Sequence, residues 1–413
     1  MVLALATIVV RVASAVPTLT AALALARPGD TIIVEAGRYR EPAIVVAIPV
    51  TIIGRGTPVF IGAGNHTIIK VTADAVTIEG LGFERVDPSN VAEPAAIRLD
   101  SVTGCRIRDN VIRDSFFGIY GSAVNGCLIE NNQVAGVPRS DQESGNAIHL
   151  WSSRDVTVKG NRVERYRDGI YLEFVTNSRL IENRSERNRR YGLHFMFSDS
   201  CDYTRNQFSE NGAGVAVMYT KNVTMIGNRF ERNRGQAAYG LLLKDIADSR
   251  LVDNHFEANT TAMYLEGANR ITTTGNRFVS NGWAIRVMAN SEGGVFQGNS
   301  FVGNGFDVAT NSRASESDFT GNYWDRYRGY DLDRDGFGDA PFRPVRLFSL
   351  VVEQNEPSLI LLRSPFVDLL DAAERLLPII RSVCLGQDVN KKDDGDRERL
   401  SPSMGTTDRE VSP

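Results

Sequence analysis

Three side chains with soft donor atoms lie close together in the middle of the sequence. His194 and Met196 are two residues apart, and Met218 follows Met196 by 22 residues. Residues two apart on a strand share a face, and thioether sulfur beside imidazole nitrogen is a ligand set that suits Cu(I). The sequence therefore predicts a transient copper site, with His149 and Glu173 as more distant candidates on the same surface. The alternative is that the methionines form an apolar patch covered by a partner or a loop.

A hard-metal candidate lies in an acidic stretch further along the chain. Asp331, Asp333, Asp335 and Asp339 fit the pattern D-x-D-x-D-G with a further Asp at the ninth place. Such a pattern gathers carboxylate oxygens around one Ca²⁺ ion. The twelfth place is Phe342, where an EF-hand has a bidentate Glu. The stretch is therefore either a calcium site or a tight acidic turn that ends the repeat described next.

The elements that must position these residues come from a repeat between Gly104 and Trp324. In each unit an apolar strand precedes Gly-Asn or a close relative, and an aromatic residue follows. Successive units are 22 to 29 residues long, which is typical of a solenoid. The spacing of two within the units is the strand period, and no helical stripe is present. We predict an all-β, right-handed parallel β-helix in which a coil of about 22 residues holds three short strands.

One asparagine of each unit has a structural role in this prediction. Asparagine tolerates a left-handed bend, and its amide can hydrogen-bond to the equivalent amide in the coils above and below. We expect such a ladder at Asn110, Asn132, Asn161, Asn183, Asn206, Asn228, Asn254, Asn276, Asn299 and Asn322. Two residues after asparagines of this set come Phe208, Phe230, Phe256, Phe278, Phe301 and Trp324.

The strand after each aromatic residue assigns side chains to the inside or outside of the cylinder, because alternate residues face opposite ways. The inward residues form an apolar column: Ile119, Ile148, Ile170, Leu193, Val215, Leu241, Met263, Ile285 and Val308. One outward column contains Tyr120, His149, Tyr171, His194, Ala216, Leu242, Tyr264 and Arg286. The next contains Ser122, Trp151, Glu173, Met196, Met218, Lys244, Glu266 and Met288.

Composition and charge agree with one elongated domain. A solenoid grows by adding coils, so 413 residues can share a domain. The net charge of −4 gives no indication of a nucleic-acid surface. Cys105, Cys127 and Cys201 fall in a core column, where buried thiols are favoured over a disulfide between the first two. The sequence has no C-x-x-C pair, which argues against zinc and thioredoxin-like chemistry.

The chain ends depart from the repeat, and we predict four segments. A first strand and a capping region occupy residues 1–40, and the β-helix occupies residues 41–340. The C-terminal extension, 341–385, contains an amphipathic helix over 365–380, because apolar residues recur there at helical spacing. This helix either caps the solenoid or docks on a partner. Residues 386–413 are charged and lack aromatics, so we expect them to be disordered.

The first residues form an incomplete export signal. The opening MVLALATIVVRVASA is apolar, but it has no basic start and its apolar run is short for a signal. Either Ala13-Ser14-Ala15 is a cleavage site, or TIVVRV is the first strand and the export signal lies upstream of the given start. The second interpretation is favoured. No apolar span of about 18 residues occurs, so we predict no membrane-spanning segment.

Several segments resemble the NosD family, periplasmic β-helix proteins of nitrous oxide reductase maturation. They are ARPGDTIIVEAGRYRE, YGLHFMF, GNYWDRYRGYDLDRDGFGD, RPVRLFSLVVEQ and RSPFVDLLDAAERLLP. The resemblance extends to about Ile380 and implies an exported accessory protein that is not an enzyme. It also implies partners: an ABC-type ATPase and membrane subunit (NosF and NosY), a lipoprotein copper chaperone (NosL), and nitrous oxide reductase as the client whose copper–sulfur centre is built.

The resemblance also bears on the candidate sites. The sequence leaves three alternatives for what is held, namely copper, a sulfur species or only the client enzyme. The cargo that the resemblance implies, copper, coincides with the ligand set of His194, Met196 and Met218. The C-terminal helix becomes the natural dock for the membrane subunit.

Carbohydrate chemistry is the alternative function, because many β-helix proteins act on sugars. A lyase, hydrolase or epimerase needs clustered carboxylates or an acid–base pair on one face. Glu173 and Glu266 of the outward column lie four coils apart, too far to act on one glycosidic bond. A carbohydrate-binding solenoid presents an aromatic ladder, of which Tyr120, Trp151, Tyr171 and Tyr264 are a thin version.

Overall fold

Strand residues about one repeat apart pair in parallel along the chain, which forms a right-handed parallel β-helix with three sheets. The structure, a computed structural model, describes residues 6–376 except 13, 138–139, 141–142, 236–237, 313–316 and 363. The predicted tail (386–413) and the last part of the predicted helix (377–380) lie outside the described residues, as does Ala13 of the suggested cleavage site. The predicted fold class is confirmed.

Each coil contributes one strand to each sheet. The first sheet contains Thr7–Val10, Thr31–Glu35, Thr51–Arg55, Thr77–Glu79, Arg106–Arg108, Leu128–Glu130, Thr157–Lys159, Arg179–Ile181, Asp202–Thr204, Thr224–Ile226, Arg250–Val252, Thr272–Thr274 and Val295–Gln297. The second contains Arg38–Tyr39, Val59–Ile61, Gly82–Val86, Val111–Ser115, Gln133–Ala135, Arg162–Glu164, Arg184–Glu186, Gln207–Ser209, Arg229–Glu231, His255–Glu257, Arg277–Val279, Ser300–Val302 and Tyr323–Trp324. The third contains Ile44–Val46, Ile69–Val71, Ala95–Asp100, Phe117–Ser122, Asn146–Trp151, Asp168–Glu173, Tyr191–Met196, Ala213–Lys221, Tyr239–Ala247, Thr261–Glu266, Trp283–Val287 and Phe306–Thr310.

The predicted asparagine ladder holds the coils in register. All ten asparagines are buried, and each of the first nine amides donates to the side-chain oxygen of the next, as in the 3.0 Å bond from Asn183 Nδ2 to Asn206 Oδ1. Each amide also donates to a backbone carbonyl, as Asn206 Nδ2 does to Leu180 at 2.8 Å. Buried amides need such partners because an unpaired polar group in the interior is costly. The ladder prediction is confirmed.

A second asparagine ladder, which the sequence analysis did not include, lies five residues after the first. Its amides are also buried and bond to one another, from 2.9 Å between Asn188 and Asn211 to 3.3 Å between Asn211 and Asn233. Its members are Asn188, Asn211, Asn233, Asn259, Asn281 and Asn304. The constant offset of five residues was readable in the sequence.

The core lies inside the cylinder and follows the predicted columns. Every residue of the predicted inward column is at most 1% exposed. The aromatic column from Phe208 to Trp324 forms a continuous stack with ring centroids 4.1 to 5.6 Å apart. Cys105, Cys127 and Cys201 are buried free thiols, and burial raises the pKa of Cys201 to about 12. These thiols therefore have a packing role, as predicted.

A short helix covers the N-terminal end of the cylinder. Helix α1 (Leu19–Leu25) begins after Thr18, whose hydroxyl accepts the Ala21 N–H at 3.1 Å. Glu41 accepts the backbone N–H of Leu19 at 2.8 Å, which satisfies another free donor of the first turn. Leu19 and Ala22 are buried against the core. The predicted capping helix is therefore present.

The C-terminal extension folds onto the third sheet. It contains helix α2 (Leu347–Gln354), a 3-10 helix (Glu356–Leu361) and helix α3 (Pro365–Leu376). Phe348 of α2 and Val367 of α3 are buried with Trp283 and Phe306 of the sheet. The sequence analysis predicted the helix beginning at Pro365 but not α2. Within the described part of the chain, none of the helices combines enough length with enough apolar character to span a bilayer.

We expect the asparagine ladder to carry much of the stability. Asn206→Ala removes four side-chain hydrogen bonds, among them those with the backbone N–H of Asn183 and the carbonyl of Leu180. The free energy of unfolding should fall by about 3 kcal/mol, because buried partners left unpaired are costly. Urea denaturation measures this. Asn65→Ala, at an exposed loop position, is the matched control, and equal stability of the two variants would contradict a stabilising role for the ladder.

Candidate metal site

The candidate soft-metal residues lie on the outer face of the third sheet. Met196 and Met218 are register partners on adjacent strands, so their backbones are about 4.8 Å apart. His194 precedes Met196 by two residues and faces the same side, with only 7% of its surface exposed. Both methionines are half-buried. The three predicted residues are thus neighbours on one surface, and copper binding there stays a prediction.

Tyr171 and Glu173 of the preceding coil complete the surroundings. The Tyr171 hydroxyl lies 3.2 Å from Glu173 Oε2 and 3.9 Å from Met196 Sδ, and its ring centroid is 4.9 Å from that of His194. Burial, followed by the charge of Glu173, raises the pKa of Tyr171 to about 12, so the hydroxyl keeps its proton at neutral pH. That single proton is donated to the nearer carboxylate. The lone pairs of the Met196 sulfur therefore remain free for a soft cation.

A buried polar network lies behind His194, and the sequence analysis missed it. Asp168 is fully buried. Its Oδ1 accepts the Tyr191 N–H at 3.3 Å, and its Oδ2 lies 3.6 Å from Arg167 Nε and 3.8 Å from His194 Nδ1. None of these last three atoms has a hydrogen-bond partner among the described residues. Buried polar atoms without a hydrogen bond are uncommon in native interiors.

The second imidazole of this face, His149, has different neighbours. Its Nδ1 lies 3.1 Å from Asn146 Nδ2, and Asn146 Oδ1 accepts from Arg167 Nη2 at 3.3 Å. Burial, followed by the charge of Arg167, lowers the pKa of His149 to about 3, so this ring is neutral at physiological pH. The ring stacks between Tyr120 and Tyr171, with centroids 4.6 and 4.7 Å away. His149 is thus held within the stack, one coil further from the methionines than Tyr171.

Exposed aromatic rings border the methionines. Phe174, Phe197 and Tyr219 directly follow Glu173, Met196 and Met218, and their rings stack 5.2 and 5.0 Å apart, 12° from parallel. Each is more than 40% exposed, as is the nearby Trp151. All three have positive φ, near 50°, a conformation that disfavours bulky side chains. We call these four residues, Trp151, Phe174, Phe197 and Tyr219, the aromatic rim. Sequence analysis overlooked the stack, although its spacing of 23 and 22 was readable.

The aromatic residues suggested for carbohydrate binding do not offer free ring faces. Tyr120 and Tyr171 flank the His149 ring, while Tyr264 lies 4.9 Å from the Tyr239 ring and beneath the Arg286 guanidinium at 5.3 Å. A sugar-binding platform needs an open aromatic face. Of the suggested ladder, only Trp151 is exposed, so this geometry disfavours carbohydrate binding along the column.

The acidic turn brings three of its four carboxylates together. Ligand oxygens of Asp331, Asp333 and Asp335 lie within 4.8 Å of one another. Asp339 is instead engaged with the backbone, because its Oδ2 accepts the Leu332 N–H at 2.6 Å. Carboxylates of the cluster also accept backbone N–H groups, such as Phe337 N to Asp335 Oδ1 at 2.7 Å. Both interpretations of the turn fit this geometry, and calcium binding stays a prediction.

A thermal unfolding experiment distinguishes the two interpretations of the turn. If calcium binds with the weak affinity of extracellular modules, millimolar calcium should raise Tm by about 2 °C or more relative to EDTA. Asp333→Asn should remove the shift, whereas Asp155→Asn, at an exposed position in the solenoid, should keep it. Identical Tm values in calcium and EDTA would identify the stretch as a plain acidic turn.

Comparison with known proteins identifies the family of the chain. Residues 133–329, which contain the three soft-metal candidates, match the family described as "Periplasmic copper-binding protein (NosD)". Two relatives are each named "Probable ABC transporter binding protein NosD". The one from Pseudomonas aeruginosa is 30% identical over 344 residues, covering 78% of this chain and 78% of its own. The one from Stutzerimonas stutzeri is 26% identical over 372 residues, covering 77% of each.

A solved structure supports the fold alone. The Dettilon tailspike protein superposes with a TM-score of 0.55 at 12% identity, covering 71% of this chain and 64% of its own. The sequence relatives carry the family assignment, because the identity of 30% extends over most of both chains. The chain therefore belongs to the NosD family.

Proposed function

We propose that this chain is a periplasmic accessory protein of nitrous oxide reductase maturation that holds Cu(I) transiently for the copper–sulfur centre of the enzyme. The observation that carries the proposal is the pairing of Met196 with Met218 beside His194 on one outer face. Two thioethers and an imidazole form a soft donor set. The family description as copper-binding supports the same cargo.

The exposure of the site fits transfer rather than permanent storage. Both methionines are half-buried at the surface, and the flexible methionine side chain can pivot toward an arriving or departing ion. A resident metal would normally have a closed set of ligands. Here three donors leave room for a fourth donor from a delivering or receiving protein.

Copper is favoured over sulfur as the cargo. Thioether sulfur and neutral imidazole donate electron pairs to a soft cation and have no means of binding sulfide. Among the described residues, the cysteines that could form persulfides are Cys105, Cys127 and Cys201, and all three are buried in the cylinder. The outer face therefore suits Cu(I). Holding and releasing Cu(I) requires no enzymatic activity of the protein.

Two exposed apolar surfaces suit the partners that the family suggests. The aromatic rim borders the copper site and is placed for a NosL-type copper chaperone or for nitrous oxide reductase itself. The C-terminal helices present Ile360, Phe366 and Leu369, which are 89%, 55% and 69% exposed. We assign this second surface to the membrane subunit of a NosF/NosY-type ABC transporter. The relatives are each named as a probable ABC transporter binding protein, which supports an ABC transporter as the partner.

A Cu(I) titration tests the proposed function. The metal-free protein, kept anaerobic, is titrated against a chromogenic Cu(I) chelator, and we expect one Cu(I) per chain. Binding to glycan arrays or release of unsaturated sugars, with no retention of Cu(I), would favour the carbohydrate alternative. Failure to compete with even a weak chelator would refute copper handling by this chain alone.

A further inference from the structure

The two imidazoles on the outer face of the third sheet are joined by a continuous polar chain. From one end to the other it runs through His149, Asn146, Arg167, Asp168 and His194, with neighbouring polar atoms 3.1 to 3.8 Å apart. The five residues come from three consecutive coils and are largely buried, apart from the half-exposed Arg167. Each end of the network therefore faces one of the two rings with a group of defined hydrogen-bonding character.

The end of the chain at Asn146 determines which nitrogen of His149 carries the proton. Arg167 has only donors, so the atom of Asn146 that it contacts must be the oxygen. The amide nitrogen of Asn146 then points to His149 Nδ1 and donates to it. The neutral ring consequently carries its proton on Nε2, and neither ring nitrogen has a lone pair to offer a metal.

The end at Asp168 has the opposite effect on His194. A carboxylate accepts and does not donate, so the nitrogen facing it, Nδ1, is the one that carries hydrogen. The separation of 3.8 Å is longer than a hydrogen bond, and a movement of less than about 1 Å closes it. Both atoms are buried and neither makes a hydrogen bond among the described residues, and Oδ2 also forms an ion pair with Arg167 Nε at 3.6 Å. The missing hydrogen bond at His194 Nδ1 favours that closure when a cation draws electron density from the ring.

We infer that Asp168 is a positioning residue that holds His194 in the Nδ1–H tautomer, so that Nε2 faces outward as the metal donor, while Asn146 excludes His149 from that role. The identity of the bound metal rests on the proposed function, but the tautomers do not. Of the two imidazoles on this face, only His194 can then serve as a ligand, and His149 is no longer a candidate.

Nitrogen NMR of the metal-free protein tests the inference. The chain has 4 histidines, so uniform ¹⁵N-histidine labelling gives four imidazoles, and His149→Gln and His194→Gln assign two of them. At pH 8, long-range ¹H–¹⁵N spectra should show Nδ1–H for His194 and Nε2–H for His149. An Nε2–H signature at His194 in the unmodified protein would overturn the inference.

Two variants separate a positioning role from a structural one. Asp168→Asn removes the obligate acceptor and should shift His194 toward Nε2–H, with Cu(I) affinity about 10-fold to 100-fold lower. Asn146→Asp should shift His149 to Nδ1–H. Asp307→Asn is the matched control, because Asp307 is a buried carboxylate 3.9 Å from an arginine, Arg326. It should leave both rings unchanged.

The outcomes distinguish the inference from the proposed function. If the His194 tautomer does not respond to Asp168→Asn, the positioning role is wrong, whatever the copper affinity. If the tautomers behave as expected but the unmodified protein retains no Cu(I), the proposed cargo is wrong and the positioning role stands for another ligand of the imidazole.

Discussion

Replacing Met196 and Met218 together by leucine should lower the Cu(I) affinity by about 100-fold or more, because two of the three soft donors are lost. Leucine nearly matches methionine in volume, and both positions are half-buried, so the solenoid should remain folded. The affinity is measured by competition with a Cu(I) chelator. Each single variant should show an intermediate loss, since the sulfurs lie on neighbouring strands.

The matched control is the double variant Met225→Leu and Met263→Leu. These methionines are 2% and 0% exposed, inside the cylinder, and should not contribute to the site. Unchanged affinity in the variant of Met196 and Met218 would remove both residues from the copper site. Equal losses in the two double variants would instead indicate a general effect on folding.

The fold and the methionine pair were predictable because they depend on one regularity. In a parallel β-helix, residues one repeat apart become neighbours, so the spacing of 22 residues between Met196 and Met218 is enough to place them side by side. The asparagine ladder obeys the same rule. No side-chain interaction specific to one coil is needed for either prediction, and the sequence displays the period directly.

The polar network was missed because strict alternation fails at a small residue near the start of successive strands of the third sheet, which is Gly169 in this coil. Strict alternation from the inward residue Ile170 places Asp168, two residues earlier, in the core. The carboxylate of Asp168 instead lies near His194 on the outer face. A Cβ at Gly169 would collide with the buried side chains of Ser185 and Asn188. Position 169 therefore faces the inside of the cylinder and lies close against these two residues. Gly169 and Ile170 are therefore two consecutive inward residues, and Asp168, which precedes them, faces outward. The same bend recurs at Gly192, Gly214 and Gly240, so its signal is a column of small residues and not the apolar alternation.

The acidic turn lies beyond the repeat, where no register constrains side-chain direction. The spacing of its aspartates predicted four convergent carboxylates, but Asp339 hydrogen-bonds to the Leu332 backbone instead. A one-dimensional pattern does not specify which carboxylates serve the backbone and which face a common centre.

Introducing charge on the exposed face of α3 should abolish co-purification with the transporter membrane subunit. Phe366 and Leu369 are 55% and 69% exposed, while Val367 on the opposite side is buried with α2 and the third sheet. The variant Phe366→Asp with Leu369→Asp therefore changes the outward face without unpacking the helix, unlike deletion of the segment 365–380. Desolvating two carboxylates at an apolar interface costs several kcal/mol, which is enough to lose binding in a pull-down.

Val91→Asp is the control for added charge, since Val91 is an apolar residue that is 97% exposed in a distant loop. Both proteins should keep the same Tm and the same Cu(I) affinity, because the proposed copper site lies on other coils of the solenoid. If the variant of Phe366 and Leu369 still co-purifies, the helix serves only as a cap that shields Trp283 and Phe306 at the end of the third sheet. Loss of binding only in this variant would assign the docking surface to α3, which is separate from the aromatic rim. One protein could then bind the transporter and exchange copper at the same time.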